Sequence, residues 1–113
     1  MTEDWPGRER RRSTRVPVDV PVRLTVGGES VPGQMRDICR DAALVEVHRS
    51  VDIGSEVTLV FELPDDEGGP LRVAGRVIRI APGDGDARGV AVLFRDVQPA
   101  VEGRISMFLQ RQD

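Results

Sequence analysis

The chain has 113 residues and a formal net charge of −3, with 39% hydrophobic and 31% charged residues. That is enough for one domain with one modest core, and too little for a second module. The mild acidity excludes an overall nucleic-acid-binding surface. No apolar run approaches the roughly 20 residues needed to cross a bilayer, so membrane insertion is not expected. Met1-Thr2-Glu3-Asp4-Trp5-Pro6-Gly7 holds no apolar stretch of a secretory signal. A lone cysteine, Cys39, has no partner for an internal disulfide. Both features predict a cytoplasmic protein.

Every basic residue is an arginine, a planar, forked donor that lysine does not match. The positive charge is local: Arg8, Arg10, Arg11, Arg12 and Arg15 fall within eight positions. Residues 1–15 are therefore expected to form a flexible basic arm, and residues 16–113 the folded domain.

From Val16 to Val26, valine and leucine alternate with Pro17, Asp19, Pro21, Arg23 and Thr25. This period of two predicts a half-buried strand. Its prolines lie on the outward phase and carry no N–H, so the strand is expected at an edge or at the opening of a barrel. Gly27-Gly28 turns the chain. Val31 to Ile38 reads as a second strand, interrupted by Pro32 and Gly33. Asp37 to Ala42 is a polar break. Ala43, Val45 and Val47 then mark a short third strand, and Val57, Leu59, Phe61 and Leu63 one face of a fourth.

After the loop Pro64-Asp65-Asp66-Glu67-Gly68-Gly69-Pro70, which reads as a solvated hairpin tip, Leu71 to Ile80 forms a fifth strand. Gly75 is the expected site of a bulge there. Val90, Val92 and Phe94 give the inward face of a sixth. Val97, Val101, Ile105, Phe108 and Leu109 then follow helical spacing. Pro99 suits the first turn of that helix, and Gln98 or Asp96 its cap. The expected fold is mainly β: a small six-stranded antiparallel barrel of split-barrel type, with one C-terminal α-helix packed on its open mouth.

Two segments carry candidate chemistry. One is Arg10-Arg11-Arg12-Ser13-Thr14-Arg15, just before the first strand. The other is Asp37-Ile38-Cys39-Arg40-Asp41-Ala42, between the second and third. In a small barrel the start of the first strand lies beside the end of the second, so both segments are expected to face one pocket.

The order of these motifs resembles the PilZ domain family over nearly the whole chain, from about Arg8 to Leu109. Arg11 and Arg15 match the family's RxxxR motif. Asp37, 22 positions after Arg15, matches the acidic residue of its Asp/Asn-x-Ser-x-x-Gly motif. Gly89 to Phe94 fits a late Gly-x-x-x-x-Phe strand. The resemblance implies a receptor for cyclic di-GMP, without catalysis, metal or cofactor. On this reading Arg10, Arg11, Arg12 and Arg15 bind phosphate bidentately and pair with guanine edges. Asp37 accepts from the two Watson–Crick N–H donors of guanine.

The chain departs from the family at two positions, with Cys39 for the serine and Ala42 for the glycine. A thiol is a weak donor and acceptor, and losing a neutral hydrogen bond costs about 0.5–1.5 kcal/mol. If the family glycine has positive φ, Ala42 adds strain of order 1 kcal/mol. Together these predict binding weaker by roughly tenfold to a few hundredfold. Two functions remain open from the residues: a small stand-alone cyclic di-GMP-binding adaptor that signals to a partner protein by ordering its arginine arm, or a degenerate domain that serves protein contacts alone.

Other features read as structural. His48, the only histidine, is expected on the surface. Asp84-Gly85-Asp86 opens like a calcium loop, but Arg95 stands where a closing glutamate is required. A single-stranded nucleic-acid role lacks exposed aromatic platforms, since Phe61, Phe94 and Phe108 all fall on core positions. Trp5 lies in the tail. One His and one Cys on unconnected segments, with no phosphate loop, argue against an enzyme.

Overall fold

The computed structural model describes residues 15–112. Six strands precede one helix: β1 Val16–Val26, β2 Glu29–Ile38, β3 Ala42–Val47, β4 Glu56–Phe61, β5 Leu71–Pro82, β6 Arg88–Arg95 and α1 Pro99–Gln110. The strands close into a barrel in the order β1-β2-β3-β6-β5-β4, and every neighbouring pair is antiparallel. The alternating residues read from the sequence supply the interior. Leu24, Met35, Ile38, Val45, Leu59, Leu71, Val77 and Val92 are essentially fully buried. Each such side chain contributes roughly 1.5–3 kcal/mol by leaving water. Ile105 and Phe108 of α1 complete the core. The amphipathic helix thus closes an apolar interior that the strands alone leave incomplete.

The barrel is strongly sheared. β4 pairs only with Val22–Val26 of β1, so among the described residues Val16–Pro21 pairs with β2 alone. Pro17 and Pro21 sit in that one-sided half, where a missing N–H costs no ladder bond on the free side. The β1–β2 turn uses Gly27 and Gly28 at positive φ, a conformation that favours glycine.

Two local expectations are corrected and one, the start of the helix, is met. Gly75 is not a bulge, because its register with β4 runs unbroken from Glu56↔Arg76 to Phe61↔Leu71. A Cβ there would lie 2.5 Å from Val92 Cγ1 and 2.8 Å from the Leu93 carbonyl, so glycine permits close strand packing. Helix α1 has Gln98 at its N-cap and Pro99 in its first turn, but no side-chain cap bond. Asp96 instead adopts φ +52° in the turn before it. Finally, the acidic β4–β5 loop is not merely solvated. Asp66 accepts from the Gly68 N–H at 3.0 Å and from Arg104 Nε of α1 at 3.1 Å. Arg104 also donates to the Gly69 carbonyl. This latch holds the helix to the loop, and the Gly68 backbone hydrogen bond is the main reason the Asp66 carboxyl sits below the usual range, with Arg104 adding to it.

Candidate functional site

The barrel's register brings the two polar segments together. Val16 pairs with Ile38 and Pro17 with Asp37, which sets Arg15, one residue before β1, beside the end of β2. Arg15 Nη2 donates to Asp37 Oδ2 at 3.1 Å. The arginine is 57% exposed and the carboxylate 18%. An ion pair this open to water is worth at most about 1 kcal/mol. Both groups can therefore exchange their mutual contact for a ligand carrying an anion and an N–H edge.

Beside them, two irregularities converge. β1 holds one extra residue against β2 between Pro17 and Val20, and β2 holds one extra against β3 between Met35 and Asp37. The second puts Arg36 and Asp37 on the outer face in succession, where regular alternation would bury one of them. Arg36 then reaches across the sheet. Its Nη1 donates to Asp19 Oδ1 on β1 and its Nε to Glu46 Oε1 on β3, both at 2.9 Å. Gln34 also donates to Asp19, at 2.8 Å. These side chains line an open depression of about 550 Å³ with Pro32, Gly33 and His48. Arg36 is a site residue outside the motif positions. Its signal was present in Met35-Arg36-Asp37-Ile38, two polar residues in a row inside an alternating strand.

The other side of Asp37 is apolar. Leu44 lies opposite it on β3, and Ala42 and Leu44 pair with Leu93 and Ala91 on β6. Leu93 is 40% exposed.

The remaining candidates fall as follows. Cys39 is buried, and its Sγ lies 3.4 Å from Asp41 Oδ1. Burial is the main cause that pushes its thiol up from the ordinary value. Ala42 opens β3, and the described non-glycine residues at positive φ are Asp65 and Asp96. The strain expected at Ala42 therefore does not arise, because this turn reaches β3 without a left-handed residue there. Arg10, Arg11, Arg12 and Trp5 lie outside the described residues, as does the rest of the expected arm before Arg15. His48 is exposed, with Nδ1 3.1 Å from Asp86 Oδ1. That contact is the first cause of the lowered Asp86 carboxyl. Among the described residues there is no cluster of three or more metal-ligating side chains. None of their helices is long and apolar enough to cross a membrane.

Comparison with known proteins agrees with this fold. A family model described as "PilZ domain" matches residues 9–111. No curated protein sequence matches the chain. Among solved structures, the inhibitor of motility MotI/DgrA of Bacillus subtilis superposes with a TM-score of 0.77 at 18% identity, over 91% of this chain and 51% of that one. The PilZ domain of YcgR from Escherichia coli, solved with c-di-GMP, gives 0.72 at 14% identity, over 91% and 93%. The K. pneumonia MrkH–c-di-GMP complex gives 0.72 at 17% identity, over 91% and 52%. The chain thus spans about half the length of the MotI/DgrA and MrkH chains. At these identities the likeness is one of fold.

Proposed function

From the premise that this chain belongs to the PilZ domain family, we propose that it is a cyclic di-GMP receptor acting on a partner protein. PilZ domains are ligand-binding regulatory domains rather than enzymes. The observation that carries the ligand is the 3.1 Å contact between Arg15 and Asp37. It joins the last arginine of one motif to the acid of the other. In this reading Arg15, with Arg10, Arg11 and Arg12, binds the phosphates and guanine edges through forked donors. Asp37 accepts from the guanine N1 and N2 hydrogens. Leu44 and Leu93 lie under a base. Ligand contacts order the arginine arm over the barrel, and the changed surface is what the partner reads. Two of the structural neighbours above were solved with c-di-GMP, which supports the ligand class.

Isothermal titration with cyclic di-GMP tests this. Arg15→Ala is expected to weaken binding by roughly tenfold or more, the worth of a charge-assisted hydrogen bond. Asp37→Ala, which removes the acceptor facing the guanine edge, is expected to do at least as much. Equal affinity in both variants and the parent would remove these residues from the site.

A second reading has its own support. Cys39 is buried and turned toward Asp41, so the hydroxyl that the family motif offers has no counterpart on the outer face. A domain that has lost the ligand and kept its protein contacts fits that feature. The double variant Cys39→Ser with Ala42→Gly separates the two. Binding that appears only in the double variant assigns the native chain to protein contacts alone.

A further inference from the structure

The β2–β3 turn is closed by backbone bonds. Cys39 N–H donates to the Ala42 carbonyl at 2.8 Å, and Phe94 N–H donates to the Asp41 carbonyl at 2.8 Å. The Cys39 thiol faces the Asp41 carboxylate. Arg40 is the exception in this turn. Its Nη2 lies 3.7 Å from Glu102 Oε2 in the first turn of α1, and both side chains are about half exposed. That separation is an ion pair without a hydrogen bond. Arg36, Arg76 and Arg104, by contrast, each donate to a carboxylate at 2.9–3.1 Å. Among the described residues Arg40 is thus a guanidinium whose fork makes no side-chain hydrogen bond, three positions after Asp37 of β2 and tied weakly to the helix.

We infer that Arg40 is a further ligand-contacting residue, one that leaves Glu102 to meet a phosphate of the bound nucleotide. This rests on the receptor reading above. It places a charged fork in the turn whose family serine and glycine are replaced by Cys39 and Ala42. The exchange also has a mechanical consequence. Taking Arg40 removes the turn's only side-chain ion pair with α1 among the described residues. Ligand occupancy then reaches the helix through Glu102.

The test is titration of the full chain with cyclic di-GMP, by calorimetry and by amide NMR. Arg40→Gln is expected to bind roughly tenfold more weakly. Glu102→Gln, which frees the guanidinium, is expected to bind about two- to fourfold more tightly, the scale of an exposed ion pair. In the Arg40→Gln background, Glu102→Gln is expected to change nothing. The Glu102 amide is expected to shift on titration in the parent and to stay still in Arg40→Gln. Arg49→Gln is the charge control, since Arg49 pairs with Glu29 away from this turn. Three outcomes overturn the inference while leaving the receptor reading in place: Arg40→Gln binding within twofold of the parent, Arg49→Gln losing as much as Arg40→Gln, or a Glu102→Gln effect that persists without Arg40. A parent chain that does not bind overturns both.

Discussion

The latch between Asp66 and Arg104 makes a sharp prediction about stability and pH. Asp66 accepts a backbone N–H from Gly68 and a guanidinium N–H from Arg104. Its side chain is 16% exposed and that of Arg104 29%. Hydrogen bonds to charged groups contribute about 1.5–3 kcal/mol when well shielded, and exposed ion pairs at most about 1. Partial exposure puts this site between the two, so Asp66→Ala is expected to cost about 1–2 kcal/mol near neutral pH. The carboxyl is depressed in the folded state, chiefly by the Gly68 hydrogen bond and further by Arg104. Its contribution is therefore complete above the unfolded-state value of about 4 and is lost as pH falls through the lower folded value. Urea unfolding of parent and variant at pH 7, and again at about pH 3 and below, reads both quantities. The gap between them is expected to narrow with acidification. A gap that stays constant with pH, or none at pH 7, would show that the latch holds nothing.

Other outcomes follow from the same geometry. Gly103→Ala, on an exposed helix position with no atom within 4 Å of a new Cβ, is expected to stabilise the chain by about 0.5–1 kcal/mol in urea unfolding. Gly75→Ala is expected to destabilise by about 1–3 kcal/mol, because its methyl meets Val92 and the Leu93 backbone; a neutral result there would mean that β5 and β6 pack less closely than described. Phe108→Ala, which empties a buried position where α1 meets the barrel, is expected to cost about 3–5 kcal/mol, read as a lowered urea midpoint. Cys39→Ser alone is expected to tighten cyclic di-GMP binding by no more than roughly tenfold in calorimetry, the worth of one neutral hydrogen bond.

Much of the fold was legible because its signals are local. The period of two in Val16–Val26 defines β1 to the residue. The valines of β3 and β6 declare their inward phase even in short strands. The helical spacing of Val97, Val101, Ile105 and Phe108 marks α1, and of the two residues expected to start it Gln98 is the N-cap and Asp96 a positive-φ turn residue. What stayed hidden depends on register. Whether Gly75 bulges or lets strands approach is decided by its neighbours on β4 and β6, which no local pattern names. Asp65-Asp66-Glu67 looks like any solvated loop until Arg104 is brought to it from 38 positions away.

The same division holds at the candidate site. The juxtaposition of Arg15 and Asp37 could be anticipated from the antiparallel course of β1 and β2. The strain assigned to Ala42 could not be read from residue types, because φ belongs to the turn's geometry and not to the family's choice of glycine. Arg36 left a trace in the broken alternation before Ile38. Arg40 left none, since its meaning depends on where α1 sets Glu102.

The central claim is best tested by titrating the native chain with cyclic di-GMP and following backbone amides by NMR. Saturable shifts are expected at residues 11–15 and 37–44, with Leu93 among them, at ligand concentrations on the order of tens of micromolar or below. Shifts absent at that level, or scattered over the barrel away from Asp37, would contradict it.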